Sequence, residues 1–263
     1  MIRANYSIGQ FLRAAASCAV FSFSAPVLAQ ADHSSVLSAE QKAAIERLIR
    51  DYIVKNPAVL LEAQAALEAR AETQRVDTIR KHLMANRDAI YRDPGLPVAG
   101  NPKGDVTVVE FMDYNCPYCK KASAEIAKLI SADPNVKVVF QEFANLHPTS
   151  DAVARVAIAA NRQGRYYELH RALMDAKGPL TEARAFEIAG KLGLDLAQLK
   201  RDAAAETAKA TISKAKALAA KLGIEGTPMF LIGDQYISGV PDDFADQLKR
   251  LVAEVRKAGC AVC

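Results

Sequence analysis

Apolar positions recur along the chain with two different periods, and the change of period marks out its elements. Between Ser38 and Asn56 they fall at Ile45, Leu48, Ile49, Tyr52 and Ile53, one face of a helix. Ser38 and Gln41 have the spacing of a capping box at its start. Pro57 ends this helix or opens the next. From Ala58 to about Arg92 there is no Pro or Gly, and Ala, Glu, Gln, Arg and Leu dominate. A helix of that length would be roughly 50 Å long at 1.5 Å per residue. Its apolar seam is thin: Leu60 and Leu67 are seven apart, and Val76, Leu83 and Ile90 repeat the same spacing. Two readings stay open for it. One is a helix folded back on a core or left as a solvated connector; the other is an oligomerisation stalk.

Asp93-Pro94-Gly95-Leu96-Pro97 breaks the helical pattern, and Gly100-Asn101-Pro102-Lys103-Gly104 reads as a turn. The run Val106 to Met112 is then almost continuously apolar, the pattern of a buried strand. Lys120 to Ile130 returns to a helical period. Asp133-Pro134-Asn135 turns the chain into a second strand, Val136 to Phe143. This β-α-β unit has the length of a right-handed parallel crossover. Residues 148–222 read as helical throughout, with Ser150, Thr181 and Asp195 as N-caps and Gly164, Gly178, Gly193 and Gly223 as punctuation. A short hairpin follows around Gly233-Asp234, and a final helix runs from Asp242 to Lys257.

The N-terminus reads as a processing signal. Arg3 and Arg13 make it basic, Ala14 to Leu28 is apolar and small, and Ala29-Gln30-Ala31 is an A-x-A cleavage site. Cleavage removes both arginines and no acid, so the formal charge falls from +4 to +2. A near-neutral exported chain of mixed charge has no nucleic-acid footprint. No later stretch is apolar enough for a transmembrane helix.

The chemistry lies in cysteine. After cleavage the cysteines are Cys116, Cys119, Cys260 and Cys263, two C-x-x-C pairs too local to staple a fold. Cys116-Pro117-Tyr118-Cys119 sits where a strand ends and a helix begins. Free N–H groups and the macrodipole at a helix N-terminus stabilise a thiolate. Pro117 suits the first helical position. Cys116 then caps the helix with its sulfur exposed, and Cys119 is buried one turn on. That makes Cys116 the attacking thiol and Cys119 the resolving one. A structural disulfide across so short a loop stabilises little. A zinc site would need Cys260 and Cys263 at a spacing far from the usual ribbon, so no metal ligands are expected. Cys260 and Cys263 keep three readings: a terminal disulfide, a metal clamp or a second redox pair. Glu110, inside the apolar strand, either pairs with a cation such as Lys137 or holds its proton and relays it. His147 and His170 read as packing or surface residues.

The phrase from Glu110 to Lys120, together with Gly226-Thr227-Pro228, resembles the DsbA branch of the thioredoxin superfamily. The Ser38 start and the Lys55-Asn56-Pro57 step are similar to a subgroup containing the suppressor of copper sensitivity protein C, some of whose members are trimeric disulfide isomerases. The resemblance implies an α/β fold, a thioredoxin-like core with an inserted helical domain and an N-terminal helical extension. Its parts would be a signal peptide (1–31), the extension (32–96), the core (97–147), the insertion (148–222), the core again (223–259) and a cysteine tail (260–263). By position it makes Cys116 the nucleophile, Cys119 the resolving cysteine and Glu110 the buried proton-moving acid. It places Thr227 and a cis Pro228 against the active-site sulfur, where with Pro117 and Tyr118 they meet an extended peptide. Ala144 to Pro148 and the Cys260/Cys263 tail depart from the family pattern.

The expected activity is periplasmic thiol–disulfide exchange on protein disulfides, leaning to isomerase or reductase and needing no cofactor. The alternatives are a DsbA-like dithiol oxidase, a copper-binding or copper-resistance protein, and a non-catalytic peptide-binding chaperone. Expected partners are unfolded or misfolded exported proteins with cysteines, a membrane redox partner that resets the site, and further copies in a homotrimer built through the N-terminal helices.

Overall fold

The computed structural model describes residues 37–260. Helix α1 (Ala39–Lys55) starts at the expected capping box: Ser38 Oγ accepts from Gln41 N, and the Gln41 side chain accepts from Ser38 N. None of its residues is buried. Helix α2 (Ala58–Arg87) follows, and a unit boundary falls within it, between Leu61 and Glu62. It kinks at Asn86 and passes into a π-helical turn, Asp88–Arg92.

The second unit is built on a five-stranded sheet. Its strands are β1 (Val98–Gly100), β2 (Val106–Met112), β3 (Val136–Glu142), β4 (Met229–Ile232) and β5 (Gln235–Ser238), in the order β1-β3-β2-β4-β5. Only β2 and β3 run parallel; the other pairs are antiparallel. Helix α3 (Pro117–Ala132) makes the crossover between the parallel pair. Every residue of β2 is buried, because the sheet is covered on both faces. On one face Val108, Met112, Val138 and Phe140 meet α3 and the last helix, α9 (Phe244–Ala258). On the other face Val109, Phe111 and Leu231 meet Leu218 and Leu222 of α8 (Glu206–Leu222). Gly233 lets α9 close over the hairpin: a Cβ there would lie 2.8 Å from Val255 Cγ2, and its φ is +60°.

Two expected segments divide where the sheet needs cover. Of the extension expected at 32–96, Ile79, Leu83, Ile90 and Tyr91 are at most 1% exposed and belong to the same apolar cluster as Phe111 and Leu231. The later half of α2 is therefore a helix folded back on the sheet. Tyr91 Oη donates to Gly233 O at 2.6 Å, and Lys137 Nζ donates to Tyr91 O at 2.8 Å. Of the insertion expected at 148–222, the helices α4 (Ser150–Asn161), α5 (Tyr166–Asp175), α6 (Glu182–Lys191) and α7 (Leu196–Ala204) share the α3-side cluster, whereas α8 covers the opposite face. Thr181 and Asp195 cap α6 and α7 as expected. Ser150 does not cap α4. It is the first helical residue, and its hydroxyl donates to Asp113 instead. Among the described residues no helix is long and apolar enough to cross a membrane.

Candidate active site

Strand β2 delivers the chain to a tightly bonded corner. The Asp113 carboxylate accepts from Asn115 N (2.7 Å), Ser150 Oγ (2.8 Å), Asn145 N (3.0 Å) and Leu146 N (3.0 Å). Asn115 Oδ1 accepts from Leu180 N at 2.6 Å, and its amide donates to Leu180 O at 3.2 Å. These two residues fasten the start of α4 and the loop before α6 to the active-site turn. Lys120, one turn into α3, donates to Ala176 O of the same loop at 2.5 Å. The position of α3 relative to the inserted helices is thus held by side chains flanking the cysteines.

Cys116 is the N-cap of α3, and its sulfur accepts from Cys119 N at 3.4 Å, with Pro117 at the first helical position. The expectation of an exposed sulfur is corrected here. Cys116 is 2% exposed, because Thr227, 111 residues away, brings its carbonyl oxygen within 3.3 Å of Sγ. The Thr227-Pro228 peptide bond is cis. Pro117 and Tyr118 stand exposed beside the pair, Tyr118 at 60%. Both active-site cysteines are free thiols.

The two thiols are tuned in opposite directions. For Cys116, the Cys119 side chain first, then Thr227 and the backbone amides of Cys119 and Tyr118, lower the pKa to about 6 against the opposing effect of burial. Burial, then the hydrogen bond to Cys116 and the Glu110 charge, push Cys119 far up. Glu110 is 1% exposed. Burial, then Glu142 and Cys116, raise it to about 8. Lys137, the cation considered for it, donates to Tyr91 O instead, and neither Glu110 oxygen has a partner among the described residues. Of the two readings for Glu110, the ion pair is not the one realised.

A family model described as Thioredoxin matches residues 92–253, which is more than half of the chain. The chain belongs to the thioredoxin family. A second model, the Copper resistance protein ScsC N-terminal domain, matches residues 41–74. Among solved structures, a thioredoxin-like oxidoreductase from Silicibacter pomeroyi is 48% identical, with 66% of this chain and 99% of that one covered and a TM-score of 0.63. A Proteus mirabilis ScsC linker-deletion mutant is 28% identical over 86% of this chain and 99% of its own, also at TM-score 0.63. Disulfide bond formation protein D of Bacillus subtilis is 30% identical and 82% covered. The chain also matches the Na(+)/H(+) antiporter NhaA 1 of Salinispora arenicola at 31% identity, but spans only 21% of that protein's length.

Within this thioredoxin-family site, Cys116, Cys119, Thr227 and Pro228 lie together at the start of α3, with Glu110 below them on β2. Cys260 is disulfide-bonded, while Cys263 and the expected signal peptide lie outside the described residues. His170 is buried, stacked on Tyr166 and Tyr167 and tilted against Phe140. His147 is exposed and pairs with Thr149. Sequence reasoning passed over Asp113, Asn115 and Glu142. Glu142 carried a usable signal: it is an acid within an apolar strand, the same signal that drew attention to Glu110.

Proposed function

We propose that the protein is an exported, periplasmic thiol–disulfide oxidoreductase acting on protein substrates, with isomerase or reductase as its direction. The observation that carries this reading is the unequal pair at the start of α3. The Cys116 thiol is lowered to about 6 by the groups around it, and Cys119, three residues on, is held as a buried thiol. At neutral pH only Cys116 presents a thiolate, the nucleophilic form.

Cys116 attacks one sulfur of a substrate disulfide. A Cys116–substrate bond forms, the substrate S–S bond breaks, and the other substrate sulfur leaves as a thiolate. In isomerisation that thiolate attacks elsewhere in the substrate, and a substrate sulfur finally displaces Cys116. In reduction, Cys119 passes its proton to Glu110 and displaces the substrate thiolate. The resulting Cys116–Cys119 disulfide is then reset by a membrane redox partner. A thiol near 6 lies toward the mild end of the range from about 3.5 for strong oxidants to about 7 for thioredoxin, which favours shuffling over strong oxidation. Thr227 and Pro228, with Pro117 and Tyr118 beside them, suit an extended backbone and hence many unfolded or misfolded exported substrates.

Helix α1 supports assembly. Leu48, Ile49 and Tyr52 are 69%, 53% and 56% exposed on a helix with no buried residue. A homotrimer joined through these helices would cover them and surround a misfolded substrate. The test is refolding of a scrambled-disulfide substrate by the reduced protein. Recovery of native substrate is expected, and Cys116→Ser should abolish it. If nothing is recovered, yet the oxidised protein oxidises a reduced substrate, the protein is a dithiol oxidase.

A further inference from the structure

A second buried carboxyl lies near the cysteines, and the reaction as written does not use it. Glu142 ends β3 on the same sheet face as Glu110. Glu110 is in register with Phe140, so Glu142 is its diagonal neighbour, about 8 Å away between Cα atoms from the strand spacing and the rise of two residues. Each is 1% exposed. Glu142 Oε1 accepts from Tyr166 Oη at 2.7 Å and Tyr114 Oη at 3.0 Å. Tyr114 Oη also lies 3.2 Å from His170 Nδ1. One hydroxyl proton cannot serve both, so when Tyr114 donates to Glu142, His170 Nδ1–H donates to Tyr114.

Among the described residues neither carboxyl forms an ion pair. Burial, then Arg171, lower the His170 pKa to about 3, which leaves its ring neutral. Arg171 itself is turned to Ser123 O and Asp175. From the start of α3, Cys116 and Cys119 face Glu110. From the end of β2, Asp113, already satisfied by four donors, faces Glu142, and from α5 Tyr167 faces Glu110. Glu142 Oε2 and both Glu110 oxygens have no partner among the described residues. Burial raises Glu142 to about 8, against the two tyrosine hydroxyls and with Asp113 adding to the rise. Two buried carboxyls this near do not ionise independently; charge on one holds the proton on the other.

We propose that Glu142 is a positioning residue for the exchange reaction, coupled to Glu110 so that its charge governs when Glu110 can take the Cys119 proton. This rests on the reading of Glu110 as the relay. In the step concerned, the Cys119 proton passes to a Glu110 oxygen and the Cys119 sulfur attacks Cys116. The Cys116–substrate bond breaks, the substrate sulfur leaves as a thiolate, and the Cys116–Cys119 bond forms. The cysteine pair loses two electrons and the substrate disulfide gains them. Only ionised Glu110 accepts that proton, and a charged Glu142 keeps Glu110 protonated. The hydroxyls of Tyr114 and Tyr166 favour charge on Glu142 and so hold the relay back.

The test uses the whole reduced chain and a peptide disulfide with a different fluorophore on each half. Release of the first half reports attack by Cys116; release of the second reports displacement by Cys119. Both are timed between about pH 4 and 9. In Glu142→Gln the second-step profile should move to lower pH by about one to two units, the effect of removing one like charge at this range. Tyr166→Phe, which removes a donor from Glu142, should move it the same way by less, and stands in if the Gln variant does not fold. An unmoved or alkaline-shifted second step in the folded variant overturns the coupling. Glu110→Gln separates the two claims. If it leaves the second step unchanged, the relay reading itself fails. If it slows that step while Glu142→Gln shifts nothing, only the coupling fails.

Discussion

The two faces of the sheet are made by the same strands, yet they treat polar atoms differently. On the α2 side Lys137 donates to Tyr91 O and Gln141 to Ala89 O, while Val109, Phe111 and Leu231 pack on Leu83 and Leu222. On the α3 side Glu110 and Glu142 leave three oxygens unpartnered. Among the described residues, the remaining buried side-chain oxygen without a partner is Thr227 Oγ1, beside Cys116. Native proteins rarely leave such atoms buried, because each costs desolvation free energy that no hydrogen bond offsets. Their collection around one cysteine pair teaches that this face is shaped by proton transfer, and the opposite face by packing. Perturbed acids concentrate at functional sites for that reason.

The separation can be broken from the packing side. Leu83 is fully buried against the sheet, so Leu83→Ala should cost about 2–5 kcal/mol in denaturant unfolding. The Cys116 titration should not move, since Leu83 lies across the sheet from α3. A shifted thiol in this variant would mean that the two faces are not independent.

The chemical side gives an effect that depends on pH. Glu110 sits at about 8 when folded, above its ordinary 4.5. The folded state therefore binds its proton more tightly than the unfolded chain does. Its contribution to stability is fully present below pH 4.5 and is lost as pH rises through 8. Glu110→Gln should flatten that decline. Urea midpoints measured across the range would show it. An equally steep decline in the Gln variant would assign the loss to other groups.

What could be read beforehand was local. The strand, the helix start and the paired cysteines are contiguous, and Pro117 and the Ser38 capping box act within one turn. The relations that escaped are long-range. The seven-residue spacing of Val76, Leu83 and Ile90 fits a coiled seam and a sheet-packing face equally well, and only the partner decides between them. The place of Thr227 against Cys116 was legible only through the Gly226-Thr227-Pro228 resemblance, since nothing near Cys116 in the chain announces it, and that it buries the sulfur was not read at all. Asp113 and Asn115 look like ordinary loop polars until Ser150 and Leu180 arrive from elsewhere. Glu110 and Glu142 become a pair only through the β2–β3 register.

The central claim is that Cys116 and Cys119 are tuned apart by their positions at the start of α3. Thiolate absorbance of the reduced mature chain carrying Cys260→Ser and Cys263→Ser, followed from acid to alkali with Cys119→Ser alongside, tests it most directly. The account predicts one thiolate appearing near pH 6 in that chain, lost when Cys116→Ser is added, and no second thiolate before unfolding. Two thiols titrating together near the ordinary value of 9 would contradict it.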